Sequence, residues 1–289
     1  MNLKQECRNT GVLTLRALRS FFRDRGSVIA SLLSVLIVLL LYVTMLRSSF
    51  ISDLGSYPDA SAMVDAWLIG GLMSMIPISS SVAAMGLIVR DRSTGILDDF
   101  KTSPASSMSI TAGYVFYAFI IGILLSFSFL LITAAYMFAT GFGFSTVAIG
   151  QSIALMVPSV FSSCAIMFLF ASLLKTKASF NGFTMLVNVL IGFITGTFIP
   201  IGYFSGGVQS FFNLFPVNHS AAMYRDILGT PALNRAFGST GEIQEYRDLL
   251  GFDIYIGDYM ATPEFGIIYL ILSGVLFFVL TAVIMRKRR

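Results

Sequence analysis

Long apolar runs, separated by short polar segments, dominate the pattern of this chain. A helix needs about 20 predominantly apolar residues to cross a bilayer. Six stretches come close to or exceed that length: Val28–Leu46, Ala66–Val89, Ile110–Ala139, Val147–Leu174, Phe180–Ile199 and Phe265–Met285. The pattern predicts an all-α membrane protein with six transmembrane helices. No internal repeat or interdomain linker interrupts it, so we expect one transmembrane domain over residues 1–289.

The composition supports a membrane protein. Hydrophobic residues make up 56% of the chain and charged residues only 12%, whereas a soluble domain carries about 25% charge. The two cysteines, Cys7 and Cys164, are too few for a disulfide framework or a four-ligand zinc site.

The distribution of Lys and Arg predicts the orientation. Fifteen of the nineteen lie before Val28, in the 90–109 loop, in the 175–179 loop or in the C-terminal tail. Basic residues in short loops remain in the cytoplasm, so both termini and the 90–109 loop are expected there. The net charge of +4 is then a membrane-surface signal, and no nucleic-acid partner is expected.

The segment between the fifth and sixth predicted helices, residues 200–264, becomes a large extracellular loop in this topology. Its Gly-rich and aromatic first part is apolar enough to re-enter the membrane, where irregular backbone must be buried in protein or face water. The acidic remainder is expected to form a small solvated cap.

The residues before the first predicted span have the pattern of an interfacial amphipathic helix. Apolar residues recur at helical spacing, and arginines occupy the other faces. The apolar set is Val12, Leu15, Leu18 and Phe22, and the basic set is Arg16, Arg19 and Arg23. A signal peptide is the alternative interpretation. The sequence "RSSFISD" after Leu46 lacks a small-residue cleavage site, which favours a retained segment.

Several classes of chemistry are disfavoured by what the spans lack. The six stretches contain no Asp, Glu, Lys, Arg or His, whereas ion-coupled carriers usually keep titratable groups inside the membrane. The Ser79–Ser81 hydroxyls have no base in any span to activate them as hydrolase nucleophiles. We therefore expect no catalytic, cofactor-binding or metal-binding residues. No G-x-x-x-x-G-K-[ST] motif occurs, so if ATP drives this protein, another polypeptide must bind it.

One cytoplasmic loop, "RDRSTGILDDFKTSP" at residues 90–104, combines charge with a small apolar face. Gly95, Ile96, Leu97 and Phe100 share that face in a short helix, and Pro104 would end it. Apolar anchors with charged flanks suit a groove on a partner protein. The alternative is a solvated loop that only connects two spans.

Two motifs resemble those of the ABC-2 type permeases, the membrane subunits of bacterial ABC exporters. The loop between spans two and three in that family runs Arg-Glu, Gly-Thr-Leu-Glu and a Thr-Pro step. This chain has Arg90-Asp91, Gly95-Ile96-Leu97-Asp98 and Thr102-Ser103-Pro104 in the same order. The family's Gly-x-Phe-x-Pro, later Pro and Tyr-Arg correspond to Gly196-Thr197-Phe198-Ile199-Pro200, Pro216 and Tyr224-Arg225.

The resemblance implies a half-transporter in the bacterial inner membrane. Two ABC ATP-binding subunits would bind ATP and Mg²⁺, and a second permease subunit would complete a homodimer or heterodimer among membrane lipids. The implied docking residues are Arg90, Asp91, Gly95, Ile96, Leu97, Asp98, Phe100 and Pro104, with Arg16, Arg19, Phe22 and Arg23 on the interfacial helix. The expected substrate path and exit contain Asn181, Asn188, Gly192, Gly196, Phe198 and Pro200. Interhelical hydrogen bonding of the asparagines and ordinary packing of the others remain alternatives.

The expected function is export of an amphiphile, such as a drug, antibiotic or antimicrobial peptide, because the spans are neutral and rich in aromatic residues. A permease for lipid-linked glycans is the nearest alternative. A non-transporting membrane sensor whose outer loop binds a ligand is another, and an ion-coupled carrier ranks below both.

Overall fold

The computed structural model is a bundle of long helices. It describes residues 3–24, 26, 29, 33, 36–37, 39–53, 59–102, 105–174, 176–237, 242–257 and 259–287. The first predicted span, Val28–Leu46, is described in part. Residues 29, 33, 36–37 and 39–41 of that stretch are α-helical, and Tyr42–Leu46 form a π-helix.

The helices follow the apolar pattern closely. Their bounds are α1 Leu3–Arg23, α2 Arg47–Asp53, α3 Ala60–Ser93, α4 Ile96–Thr102, α5 Ser107–Ala139, α6 Thr146–Leu173, α7 Lys177–Ile194, α8 Gly206–Asn213, α9 Pro216–Phe237, α10 Glu242–Leu250 and α11 Pro263–Lys287. A short 3₁₀ turn, Ile201–Tyr203, precedes α8, and a two-stranded antiparallel hairpin pairs β1 Tyr255–Ile256 with β2 Tyr259–Met260.

Five of the described helices, α3, α5, α6, α7 and α11, are long and apolar enough to cross a membrane. Successive members run in opposite directions, so their ends meet at two poles of the bundle. We call the pole with α1, α4 and the first turn of α7 the basic end. The pole with α8–α10 and the hairpin is the cap end. At 1.5 Å per residue, the 34 residues of α3 extend about 51 Å, well beyond a hydrocarbon core of about 30 Å.

Helix α3 forms the centre of the fold. In its most apolar 18-residue window 83% of residues are buried, against 17% for α7 and 22% for α11. Trp67, Ile69, Leu72 and Met73 of α3 are almost fully enclosed. Because α3 is surrounded by α5, α6, α7 and α9, apolar side chains occur on every face of the helix. The peripheral α7 and α11 leave large apolar side chains on the outer surface.

The ends of the spans are set by local hydrogen bonding. Ser106, Ser145 and Thr176 cap α5, α6 and α7, each accepting a hydrogen bond from the backbone N–H three residues later. Helix α7 ends at Ile194, so the expected span Phe180–Ile199 is too long by five residues. Gly196 has φ +62°, a left-handed conformation that favours glycine and terminates helices.

The segment expected to be a large loop is mostly helical in its described part. Helix α9 is buried along much of its length and packs against α3, α6 and α11. Beside it, Arg247 of α10 forms ion pairs with Asp253 at 2.7 Å and Asp226 at 2.9 Å. The hydrogen bonds to Asp253 raise the pKa of Arg247. These pairs fasten α10 and the chain leading to the hairpin onto α9.

Candidate functional site

The basic end contains a buried carboxylate, Asp91, in the last turn of α3. Its side chain is completely buried. Arg16 of α1 donates to Oδ2 at 2.6 Å, and the Tyr114 hydroxyl of α5 donates to the same oxygen at 2.7 Å. The Arg90 Nε lies 4.0 Å from Oδ1. Three helices that are distant in sequence are therefore joined at one carboxylate, which we call the Asp91 junction.

Arg16 extends this junction to the short helix α4. Its guanidinium lies over the ring of Phe100, 4.9 Å from the centroid, which is within cation–π distance. Arg16 thus contacts α3 through Asp91 and α4 through Phe100. A displacement of α4 would act directly on the side chain that fastens α1 to the bundle.

Helix α4 is set off from α3 by a sharp turn at Gly95. This glycine has φ +79°, where a side chain would strain the backbone. Next to the turn, Arg92 donates to the carbonyl of Leu174 at the end of α6, at 3.0 Å. A cation at a helix C-terminus is favourable because the backbone carbonyls there are unpaired. The base of α4 is therefore anchored to α6 as well.

The residues expected to form the docking loop divide into two groups in the structure. Asp91 is buried and bonded within the chain, and its place among the docking residues stays a prediction. Ile96, Leu97 and Phe100 are half-buried, and Leu97 and Phe100 pack against the core. Asp99 and Thr102 are exposed. Asp98 is in α4, but its side chain is outside the described part, as is all of Pro104.

The interfacial helix expected before the first span is α1. It packs along α5, where Thr14 donates to the Gly113 carbonyl at 3.2 Å. A Cβ on Gly113 would approach the Leu13 Cβ to 2.8 Å, so glycine permits the close contact. Arg19, Phe22 and Arg23 are exposed. Of the four residues predicted on this helix, Arg16 alone belongs to the Asp91 junction.

The predicted substrate path corresponds to α7 and the turn after it. Asn181 is exposed in the second turn of α7, and Asn188 is half-buried with its Oδ1 unpaired among the described residues. The ring of Phe198 covers Gly192, and a Cβ at Gly192 would overlap it. Gly196 supplies the left-handed turn described above, and the buried Pro200 follows. The two glycines therefore fold the end of α7 back on itself.

A fully buried arginine, Arg225 of α9, holds this turn in place. Its Nη2 donates to the carbonyls of Thr195 at 2.7 Å and Gly196 at 3.1 Å. Longer bonds of 3.3 Å reach the carbonyls of Trp67 and Gly251. No carboxylate bonds it among the described residues. The guanidinium instead meets the negative end of the α7 dipole and joins α3, α7, α9 and the end of α10.

These buried charges have only partial signals in the sequence. The Tyr224-Arg225 pair is part of a family motif, but the apolar pattern predicts that Arg225 lies in an exterior loop. Asp65, at the border of a predicted span, is completely buried and forms a bidentate ion pair with Arg47. The Arg47 Nε lies 2.8 Å from Oδ1 of Asp65, and Nη2 lies 3.0 Å from Oδ2. A charged residue beside an apolar run was the available signal, but only the structure supplies the partner.

Within the described residues, no group of three or more His, Cys, Asp or Glu could hold a metal ion. The chain was then compared with known proteins. The family model for "ABC-2 family transporter protein" matches residues 51–283, which include α3, α4, the junction carboxylate and Arg225.

The chain belongs to the ABC-2 transporter family. It is therefore a multi-pass membrane component of an ABC transporter, and membership of the ABC-2 family implies association with an ABC ATP-binding subunit. No curated protein sequence matches this ABC-2 chain. The prediction of an ABC-2 permease is confirmed, and the prediction of an all-α membrane protein agrees with the described helices.

Proposed function

We propose that this chain is the permease subunit of an ATP-driven exporter and that α4 is the element through which the ATP-binding subunits act on it. The observation that carries the proposal is the Asp91 junction. A short helix, set off by the turn at Gly95, is linked through Phe100 and Arg16 to α1, α3 and α5. Force applied to α4 would therefore reach three long helices together.

The proposed assembly contains two ATP-binding subunits and a second permease, in a homodimer or a heterodimer. ATP and Mg²⁺ would be bound by the partner chains, in keeping with the lack of a phosphate-binding loop in this sequence. The large apolar side chains exposed along α7, which include Met185, Leu186 and Val189, would lie against lipid or the second permease. Transport-family membership favours this assignment over a non-transporting sensor.

For the cargo we propose an amphiphile taken from the cytoplasmic leaflet, such as a drug, antibiotic or antimicrobial peptide. The support is the neutral character of the predicted spans, since a charged or strongly polar cargo would need polar partners along its path. The expected path remains Asn181 and Asn188 on α7, then the turn from Gly192 to Pro200. ATPase activity of the reconstituted complex that rises with amphiphiles and not with soluble sugars would support this cargo class over a glycan.

The docking role of α4 is tested on its exposed face, because the half-buried apolar residues also stabilise the fold. Asp99→Lys reverses an exposed charge on α4 without touching the core. We expect it to reduce co-purification of the candidate ATP-binding subunit from detergent. Glu245→Lys is the matched control, since Glu245 is exposed on α10 at the cap end. Equal co-purification of both variants and the unmodified chain would contradict the docking role.

The orientation is tested with engineered cysteines in a Cys7→Ser background, because Cys7 is exposed and Cys164 is buried. Ser93→Cys places a thiol at the basic end, and Ser210→Cys places one on α8 at the cap end. With both termini in the cytoplasm, an impermeant thiol reagent labels position 210 on intact bacterial cells. Position 93 is labelled only after permeabilisation, and the reverse pattern would refute the orientation.

A further inference from the structure

The basic end also contains a cleft, which has no part in the proposed coupling role of α4. It lies between α1, α3, α5 and the first turns of α7, with a volume of about 260 Å³. A water molecule occupies about 30 Å³ of liquid, so the cleft has room for a group the size of phosphate. We call it the basic-end cleft.

The rim of this cleft carries hydrogen-bond donors and a net positive charge. Arg90, Lys177 and Asn181 line it, together with Ser20. The Arg90 Nη2 donates to Ser20 Oγ at 2.9 Å, which leaves other guanidinium N–H groups to bind a ligand. One carboxylate, Asp24, also lines the cleft. Among the described residues that line the cleft, two cations and one anion give a formal charge of +1, which favours an anionic ligand.

A tyrosine of α5 is part of the same cleft. Tyr117 lines it and is only 1% exposed. A phenolic hydroxyl can donate a hydrogen bond to a ligand oxygen.

The remaining walls are apolar. Gly86, Leu87, Phe180 and Phe21 lie beside the polar rim, and a Cβ on Gly86 would contact the Phe180 ring at 3.4 Å. A polar rim above apolar walls fits an amphiphile better than a free ion. Basic pockets between transmembrane helices at the cytoplasmic side are places where anionic lipid headgroups bind.

We propose that the basic-end cleft binds the phosphate headgroup of an anionic phospholipid, with the glycerol and the upper acyl chain against the apolar wall. Arg90 and Lys177 pair with the phosphate, and Tyr117 and Asn181 donate hydrogen bonds to its oxygens. Arg90 also borders Asp91, so the bound lipid stabilises the same helix end that carries the junction. The site requires neither the exporter assignment nor the ATP-binding subunit.

The test uses the full chain, purified alone in detergent and titrated with phosphatidylglycerol while native mass spectrometry counts bound lipids. Phosphatidylcholine with the same acyl chains is the reference lipid. We expect at least one phosphatidylglycerol to bind more tightly than the reference. Equal binding of the two lipids would overturn the proposal.

Variants separate a defined site from general charge attraction. Lys177→Gln changes an exposed side chain and is expected to weaken phosphatidylglycerol binding about tenfold, the order expected for one charged hydrogen bond. Tyr117→Phe removes a single hydroxyl at constant charge and is expected to weaken it about threefold. Asp24→Asn should strengthen it. Arg19→Gln, an equal charge loss on α1 outside the cleft, should leave the affinity unchanged, and the same weakening in Arg19→Gln and Lys177→Gln would refute the site.

Competition with inorganic phosphate tests whether the cleft binds a phospholipid or a free phosphate ion. If the apolar wall contributes, millimolar inorganic phosphate should leave phosphatidylglycerol bound. Displacement of the lipid at an equal concentration of phosphate would show that a soluble anion suffices and would overturn the lipid assignment.

Discussion

Removing the charge of Arg16 and removing the charge of Asp91 should have unequal effects on the stability of the chain. Arg16→Gln leaves a carboxylate with no exposure to solvent and without its closest cation. Breaking a buried ion pair in this way costs about 3–5 kcal/mol. The low end, about 3 kcal/mol, is expected here, because the Tyr114 hydroxyl still donates and Arg90 remains 4.0 Å away.

Asp91→Asn should cost less, although it removes the same ion pair. The amide oxygen still accepts the hydrogen bond from Tyr114. Arg16 is 35% exposed, so its guanidinium can turn to water. One hydrogen bond exchanged for water costs about 1 kcal/mol. The double variant should also cost about 1 kcal/mol, like Asp91→Asn, because no buried charge is left without a partner. The coupling between the two positions is then about 3 kcal/mol.

The assay is heat-induced unfolding of the purified chain in detergent, followed by the fluorescence of Trp67, the single tryptophan. At roughly 2 °C per kcal/mol, Arg16→Gln should lower the midpoint by about 6 °C and Asp91→Asn by about 2 °C. Arg19→Gln, on an exposed position of the same helix, should stay within about 1 °C. Equal losses for Arg16→Gln and Asp91→Asn, or additive losses in the double variant, would refute the idea that an unpaired buried charge is the source of the cost.

Three further predictions concern the cap end and can be measured as shifts of the same midpoint. Gly70→Ala should be severely destabilising, because the new Cβ would lie 2.7 Å from the backbone N of Arg225. Gly182→Ala is the control and should be neutral or slightly stabilising, because the space around Gly182 on α7 is open. An unchanged midpoint in Gly70→Ala would contradict the close packing of α3 against α9. Arg225→Lys should cost about 2–4 kcal/mol, since an ammonium cannot reach carbonyls on three sides; an unchanged midpoint would show that those bonds add nothing. Arg247→Gln should cost about 1.5–3 kcal/mol because its partner Asp253 is nearly buried. Arg235→Gln breaks a more exposed pair with Asp59 and should cost at most about 1 kcal/mol. A larger loss in Arg235→Gln than in Arg247→Gln would refute the idea that burial of the carboxylate sets the cost.

The sequence predicted the spans well where a single local property decides them. Apolar runs at α3, α5, α6 and α11 match the helices to within a few residues, apart from the extra turns at either end of α3. The error at the end of α7 has a local cause as well. A left-handed glycine stops the helix at Gly196, but glycine is also tolerated inside membrane helices, so composition could not distinguish the two roles.

The sequence indicated which loop contains the candidate site but not which side chains contact one another there. The loop pattern pointed to residues 90–104, and α4 does begin at Ile96 next to the Gly95 turn. The pattern could not show that Asp91 faces inward, since its partner Arg16 is 75 positions away. In the same way, the polar segment after the fifth span predicts an exterior loop, whereas Arg225 is buried on α9.

The sequence by itself determined which segments are apolar enough for a membrane, where an amphipathic helix precedes them and which short loop combines charge with an apolar face. These are properties of neighbouring residues and can be read within a window of one or two helical turns. Only the tertiary structure decided which charged groups are buried and what pairs with them. Arg225 bonds the carbonyl of Trp67 from 158 positions away, and desolvation is tolerated there because packed helices bring carbonyls to all sides of the guanidinium. A buried charge depends on every element around it, and no local pattern contains that information.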